Sequence, residues 1–268
     1  MSQTPQFKEV LRVYQNLNQD WNKKNPDLEA CGDKLSQLKI GLTQLSYLPT
    51  LGSQTSKQEL LIARDVLEIG ARWSIEKRDI PSFERYMSQL KNYYFDYKSD
   101  LPESPYKYEL LGLNLLRLLA QRRLADFHTE LERLTVEDIN DNVYIKHPVS
   151  MEQYLMEGSY NKVFLSKDNV PSERYNFFID ILLNTTRDEI ASCIQKAYRK
   201  LHMSEAAHML FFDNNDAMKE YGEKREWQLA KDGNYLFADN MKETDGSIPS
   251  NDVTEKMIEY AKELDKIV

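Results

Sequence analysis

The 268-residue sequence has little glycine and almost no cysteine, and both shortages restrict its chemistry. Its nine glycines are never closer than nine residues apart, which excludes the GxGxxG and GxxxxGK loops that bind nucleotide phosphates. The two cysteines, Cys31 and Cys193, cannot form a cysteine-type zinc site. Because both stand on apolar faces of predicted helices, we expect them to be buried free thiols in a reducing compartment.

Motifs for catalysis or metal binding are also missing. The four histidines form no HExxH motif, and no GxSxG nucleophile elbow occurs. His147-Pro148 matches part of a metal-dependent deubiquitinase motif, but Ile145 replaces the second histidine, and we expect a loop histidine instead. The run 213–216 is similar to the start of a calcium loop, yet Met218 stands where glycine is needed, so we expect a helix cap. The sequence therefore predicts no enzyme, no cofactor, and no catalytic or metal-binding residues.

Long hydrophobic runs are absent as well. The most apolar predicted helix, 108–120, is interrupted by Glu109, Asn114 and Arg117, whereas a membrane span needs about 18–20 apolar residues. The first fifteen residues contain no apolar core of the signal-peptide type. The net charge of −8 disfavours nucleic acid and anionic membranes as partners. These features predict a soluble intracellular protein.

Apolar residues recur at three- and four-residue spacing through residues 1–172, which predicts a series of amphipathic helices. Residues 47–56, with Pro49 and Gly52, are predicted to form a loop. Three predicted turns, 78–83, 122–127 and 157–160, are alike because each precedes a helix with an early aromatic residue. The pattern predicts stacked helical hairpins, similar to tetratricopeptide repeats but with an irregular period.

Residues 173–238 have the element order of a winged-helix module. After an apolar helix at 173–183, a second predicted helix begins at a cap, Thr185 or Thr186, and extends to Leu201. Two short helices follow, at 204–212 and around Met218 and Tyr221. Asp232-Gly233-Asn234 then predicts a tight turn between the strands 227–229 and 235–237. The predicted fold class is mostly α, with helical hairpins leading into a winged helix.

The charge of this module argues against DNA binding. Residues 187–239 contain eight basic and ten acidic side chains, and the predicted recognition helix alternates acids with bases. Such a helix would repel phosphates, so we interpret the module as protein-binding. The strand Tyr235, Leu236 and Phe237 is predicted to lie at an unpaired sheet edge that could bind a neighbour. The alternative is a covered domain core without an external partner.

Residues 239–250 are polar and contain Gly246 and Pro249, which predicts a linker. A terminal helix at 251–268 follows, and its predicted interaction stripe consists of Val253, Met257, Ile258, Ala261, Leu264 and Ile267. Burying four or five of these side chains contributes about 1.5–3 kcal/mol each. Two alternatives remain open: the stripe binds a partner surface, or the helix folds back on its own chain.

Several stretches of the sequence resemble those of a known family. They are 82–86, 89–94, 127–131, Leu155-Met156-Glu157-Gly158-Ser159-Tyr160, 187–191 and the ending Ile267-Val268. Together with the order of hairpins, winged helix and terminal helix, they closely resemble the PCI-domain family, in particular its subunits in the lid of the proteasome regulatory particle. The resemblance covers almost the whole chain and is weakest in the predicted linker.

The resemblance implies a non-catalytic structural role in ubiquitin-dependent protein degradation, in cytoplasm and nucleus. Winged helices of neighbouring lid subunits pack side by side in that family, and the C-terminal helices form a bundle that supports lid assembly and lid–base joining. Residues 187–238 would then make the lateral contact, and 253–267 would be the bundle helix. The expected partners are other lid subunits, among them non-ATPase regulatory subunit 3. The alternative is a PCI subunit of the signalosome or of the translation initiation factor 3 complex.

Overall fold

The computed structural model describes residues 5–23, 26–44, 57–98, 101–212, 214–230, 232–237 and 250–266. These residues form two compact units, Met1–Thr186 and Arg187–Val268. The first unit is helical, and the second combines helices with a small sheet. The predicted loop at 47–56 lies outside the described residues, and so does the predicted linker at 239–250 except Ser250, which is the first residue of the terminal helix.

Most consecutive helices of the first unit pack against each other, as the prediction of helical hairpins requires, and α5 also packs against α8. The helices are α1 (Pro5–Trp21), α2 (Leu28–Gln44), α3 (Lys57–Glu76), α4 (Ile80–Phe95), α5 (Lys107–Ala120), α6 (Leu124–Glu132), α7 (Val136–Asp141), α8 (Val143–Met156), α9 (Tyr160–Leu165) and the first half of α10 (Tyr175–Ala197), with a 3-10 turn at Ser166–Asp168. One apolar core extends through them from Phe7 to Leu183.

The three similar turns share one backbone device. Helices α3, α5 and α8 end at residues with left-handed backbone, Arg78 (φ 59°), Arg122 (φ 60°) and Gly158 (φ 69°). At the first of these turns, the N–H of Asp79 donates to the carbonyl of Ser74 over 2.8 Å, and the other two turns repeat that bond. This is the Schellman motif, which satisfies carbonyls at a helix end. The predicted similarity of the turns is confirmed.

Helix α5 lies at the centre of the first unit, and the polar residues that interrupt its apolar pattern are buried with it. The Glu109 carboxylate accepts a hydrogen bond from Ser172 Oγ over 2.9 Å and pairs with Arg174 over 3.2 Å. Arg117 donates to Asn114 Oδ1 over 3.1 Å. Because buried polar groups are costly only when they lack partners, α5 tolerates them inside the core.

Helix α8 contains Pro148, which cannot donate the backbone hydrogen bond that the Tyr144 carbonyl would otherwise accept. The hydroxyl of Tyr175, from α10, donates to that carbonyl over 3.1 Å instead. Gly112 of α5 makes room, because a Cβ there would overlap both the Tyr175 hydroxyl and the Tyr144 carbonyl oxygen. The prediction that His147 lies in a loop was wrong, because this replacement bond lets α8 continue past the proline.

The boundary between the units falls after Thr186, whereas the sequence placed it after residue 172. The first half of α10 belongs to the core of the first unit through Tyr175, Phe178, Ile179, Leu182 and Leu183. The predicted helix start at Thr185 or Thr186 was wrong. Their hydroxyls donate within α10, to the carbonyls of Ile181 and Leu182 over 2.9 Å each, so the helix continues through them.

The second unit has the topology of a winged helix. After α10 come β1 (Lys200–His202), α11 (Met203–Met209), α12 (Asn215–Lys224), β2 (Gln228–Leu229) and β3 (Asn234–Leu236), and the antiparallel sheet has the order β1-β3-β2. Leu201 was predicted in a helix, but it lies in β1 opposite Tyr235. The next residue, His202, caps α11 by accepting a hydrogen bond from the Ser204 N–H. The predicted winged-helix order is otherwise confirmed.

Two further sequence-based expectations concern single side chains and membrane spans. Cys31 is buried as predicted, but Cys193 is exposed because it lies on the outer face of α10. Both are free thiols. Among the described residues, no helix is long and apolar enough to cross a membrane.

Candidate interaction surfaces

The terminal helix, α13 (Ser250–Asp265), is the most exposed element of the described chain. None of its residues is buried, and its five large apolar side chains are 47–69% exposed. Five residues of the predicted stripe are exposed: Val253, Met257, Ile258, Ala261 and Leu264. The sixth, Ile267, lies outside the described residues. In the part of α13 that the structure describes, the alternative of a stripe buried against its own chain is not observed.

Tyr260, which the sequence analysis missed, completes the stripe. Val253, Met257, Tyr260 and Leu264 are separated by four, three and four residues, the spacing of the seam in a coiled coil. This spacing could have been read from the sequence, but Tyr260 carries a polar hydroxyl and was not counted. Ile258 and Ala261 flank the seam. The helix therefore presents one narrow apolar face that fits the groove of another helix or helix pair.

The predicted contact strand, Tyr235 to Phe237, is not a sheet edge. The sequence analysis did not predict β1, so β3 was expected to pair only with β2. In the structure, β3 lies between β1 and β2. Tyr235 is only 2% exposed and Phe237 is buried, so neither is available to a partner. Leu236 points to the opposite face and is 43% exposed. Of the three predicted residues, only Leu236 can contact another molecule without unfolding the sheet.

The edges of the sheet are formed by β1 and β2. Lys200 and Gln228 flank Leu236 in register, so the three side chains share the outer face. On β2, Leu229 is 49% exposed although it stands opposite the buried Tyr235. An edge strand has unpaired backbone groups that can bind a further strand. The wing thus exposes one leucine on each face of its sheet, Leu229 on the face of Tyr235 and Leu236 on the other, beside the edge strand β2.

Aromatic packing fixes the wing to the helices of the second unit. Trp227 makes edge-to-face contacts with Phe237 and Tyr235, with ring centroids 4.9 and 5.4 Å apart. At the other side, Tyr221 donates to the Asp188 carboxylate over 2.6 Å, and Arg225 pairs with the same carboxylate over 2.8 Å. Tyr221 also contacts Trp227, with ring centroids 6.3 Å apart, so these contacts join α12 both to α10 and to the wing.

The surface of α12 carries charges of both signs that neutralise each other locally. Lys224 pairs with Glu220 over 2.9 Å, and Lys219 lies 3.8 Å from Asp216. The hydrogen bond from Lys224 lowers the pKa of Glu220, which keeps this carboxylate charged. A recognition helix for DNA needs basic groups free to bind phosphates. The charges on α12 therefore favour a protein partner, and the absence of nucleic-acid binding stays a prediction.

Helical hairpins that lead into a winged helix, followed by an exposed terminal helix, define a protein of the PCI type. A sequence model described as the CSN8/PSMD8/EIF3K family matches residues 105–246, more than half of the chain. The chain belongs to this family. The match includes the helices from α5 to α12 and the whole described sheet, and it ends before α13.

Curated relatives extend the similarity over nearly the full length. The chain is 41% identical over 270 residues to the 26S proteasome non-ATPase regulatory subunit 8 homolog A of Arabidopsis thaliana, an alignment covering 98% of this chain and 99% of that protein. It is 37% identical to the 26S proteasome non-ATPase regulatory subunit 8 of Caenorhabditis elegans, over 96% and 99% of the two chains. The Saccharomyces cerevisiae 26S proteasome regulatory subunit RPN12 is 32% identical over 91% of this chain and 94% of its own.

Proposed function

We propose that this chain is a non-catalytic structural subunit of the 26S proteasome regulatory particle, located in its lid. The observation that carries the proposal is the end-to-end similarity to regulatory subunits of that complex in a plant, a nematode and a yeast. The name of the matching family also includes signalosome and initiation-factor subunits, so the family alone does not separate the three complexes. The named full-length relatives favour the proteasome.

In this proposal, α13 inserts its seam into a bundle of helices from other lid subunits. Burying the four seam side chains contributes about 6–12 kcal/mol before the cost of association is subtracted. That gain is large enough to make α13 decisive for a subunit's place in the complex. The bundle would support lid assembly and the joining of lid and base.

The second unit would make the lateral contact with a neighbouring winged helix. Its free strand edges and the exposed Leu229 and Leu236 support this role. The partners are other proteasome subunits, and we include non-ATPase regulatory subunit 3 among them. We place the protein in cytoplasm and nucleus.

The residues that could have indicated catalysis support a structural role instead. His147 is half-buried and stacks on Tyr175 with ring centroids 6.0 Å apart. Burial lowers its pKa, and no second histidine or carboxylate in the described chain joins it in a metal-binding cluster. The curated relatives are named as regulatory subunits, which also favours a role without chemistry.

The experiment that tests the proposal compares three tagged full-length chains expressed in cells of the source organism. One is wild type, one carries Met257→Glu with Leu264→Glu in the seam, and one carries Lys262→Glu on the opposite face of α13. The second and third change the charge equally, so only the apolar seam distinguishes them. Co-purifying proteins are identified by mass spectrometry, and peptidase activity is measured.

We expect the wild type and the Lys262 variant to recover lid, base and core particle with peptidase activity, and the seam variant to lose them. A chain ending at Ser250 should behave like the seam variant. If all full-length chains recover the complex equally, α13 is not an assembly element. If the wild type recovers signalosome or initiation-factor subunits instead, the assignment to the proteasome is wrong.

A further inference from the structure

Helix α8 and the segment after it form a groove on the first unit, whereas both surfaces described above belong to the second unit. Buried Met151 and half-buried His147 and Tyr154 form its floor. Val143 and Leu165 stand at its edges and are 65% and 71% exposed. The groove encloses about 480 Å³. Two aliphatic side chains this exposed, both lining one depression, form an apolar surface that nothing in the described chain covers.

The groove has the length of a helical binding site. Its residues on α8 follow one another at helical spacing from Val143 to Tyr154, so they form one stripe along the helix. Eleven residues of α-helix extend about 17 Å, or three turns. An amphipathic helix of two to three turns could place its apolar side chains along this stripe.

The charge of the groove differs from that of the whole protein. Lys146 and Lys162 stand at its rim, and none of its described lining residues is acidic. Neither lysine pairs with a carboxylate in the part of the chain that the structure describes, and the Lys162 ammonium lies 5.2 Å from the centre of the Tyr154 ring. The complete chain, in contrast, carries 43 acidic and 35 basic side chains. A basic rim around an apolar floor is complementary to an acidic amphipathic segment.

We propose that this α8–α9 groove binds a short, acidic, amphipathic helix of another protein. Its apolar side chains would lie between Val143 and Leu165, over Met151 and Tyr154, and its carboxylates would pair with Lys146 and Lys162. This binding site is separate from α13 and from the winged helix, so it adds a third contact to those of the proposed function.

Site-specific photocrosslinking in cells tests the proposal with the full chain. A photoreactive amino acid replaces Leu165 in one experiment and Val143 in another. Met156, which is also on α8 and 66% exposed but does not line the groove, is the control position. Crosslinked peptides are sequenced by mass spectrometry. We expect both groove positions to capture the same segment, with helical apolar spacing and net negative charge, and the control position not to capture it.

The second part of the experiment reverses the charge of the two lysines at the rim of the groove. Lys146→Glu with Lys162→Glu should reduce the crosslinking yield at Leu165 by about tenfold, and raised salt should reduce it for the wild type. The matched control, Lys77→Glu with Lys98→Glu at exposed positions of the first unit that do not line the groove, should leave the yield unchanged. Co-purification of other complex subunits through α13 should survive both double variants.

Three results would overturn the proposal. Crosslinks at Leu165 and Val143 could be no more frequent than at Met156, or could connect to lipid or to a second copy of this chain. The captured segment could be basic or lack an apolar face. Finally, the yield could be unaffected by charge reversal at Lys146 and Lys162, which would remove the electrostatic basis of the site.

Discussion

Replacing Tyr175 by phenylalanine tests how α8 accommodates its proline. The Tyr175 hydroxyl donates to the Tyr144 carbonyl, which Pro148 leaves without its helical donor. Burial raises the pKa of Tyr175, so the hydroxyl keeps the proton that it donates. Phenylalanine keeps the ring and its packing but leaves the part-buried Tyr144 carbonyl, and the Glu109 carbonyl 3.3 Å from the same oxygen, without this hydroxyl. Such an unpaired carbonyl costs about 1–3 kcal/mol, and we expect the first unit to lose that much stability.

The sharper form of this prediction is a double-mutant cycle with Pro148→Ala. Alanine restores an N–H at position 148, four residues after Tyr144, so the carbonyl regains a donor within α8. Tyr175→Phe should then cost at least about 1 kcal/mol less than in the wild-type background, since residues that share one partner are coupled by about 0.5–3 kcal/mol. The structure thus predicts both the size and the sign of the coupling.

The cycle is measured by urea unfolding of the full chain, with hydrogen exchange of the α5 and α8 amides to assign the change to the first unit. In thermal unfolding, 1 kcal/mol corresponds to about 2–4 °C for a unit of this size. Tyr260→Phe on α13 makes the same chemical change at an exposed site and should leave stability unchanged. Equal costs of Tyr175→Phe in both backgrounds would refute the replacement-bond explanation.

Three further variants test local features of the fold. Gly112→Ala should destabilise the first unit by about 1–3 kcal/mol in urea unfolding, because the new Cβ would overlap Tyr175. Helix propensity alone predicts that alanine raises stability, so a more stable variant would contradict this overlap. Glu226 has φ 59° at the end of α12, so Glu226→Gly should raise the stability of the second unit by about 0.5–1 kcal/mol in hydrogen exchange. Glu223→Gly, inside α12, should lower the stability of the second unit. If both glycine variants were less stable than the wild type, the left-handed backbone at Glu226 would not explain the prediction. Burial lowers the pKa of His147 below its usual 6.5, so the unfolded chain binds the proton first and stability should fall as pH drops through about 6.5. His147→Phe should flatten this pH dependence; a profile equal to that of the wild type would exclude His147 as its source.

The winged helix could be predicted from sequence because two of its signals are local. The Asp232-Gly233-Asn234 turn and the change from helical to alternating spacing both fall within a few residues. Strand β1 gave no comparable signal, since it has three residues and a single buried one, Leu201. Its existence depends on pairing with β3, which begins 34 residues after β1 begins. Missing β1 then led directly to the wrong edge strand.

The candidate interaction surfaces, like β1, could be predicted only where the signal is local in the sequence. The stripe on α13 could be predicted, because spacing within one helix determines which side chains share a face. Whether the chain itself covers that face depends on tertiary packing. The α8–α9 groove could not be predicted, since Val143 and Leu165 become neighbours of one depression only after the two helices pack. Apolar residues in a sequence are expected inside, and only the fold identifies those that remain outside.

The uncovered stripe on α13 also has a consequence for the amount of the protein in a cell. Exposed apolar faces are the feature by which chaperones and degradation systems distinguish unassembled chains from finished complexes. A free copy shows this feature permanently, because its stripe lies outside the core and is exposed even when the rest of the chain is folded. Within the part of the chain that the structure describes, folding does not hide it, whereas a bound partner would. We expect the lifetime of newly made copies to follow the supply of partners, so that overproduction of this chain alone yields little additional protein.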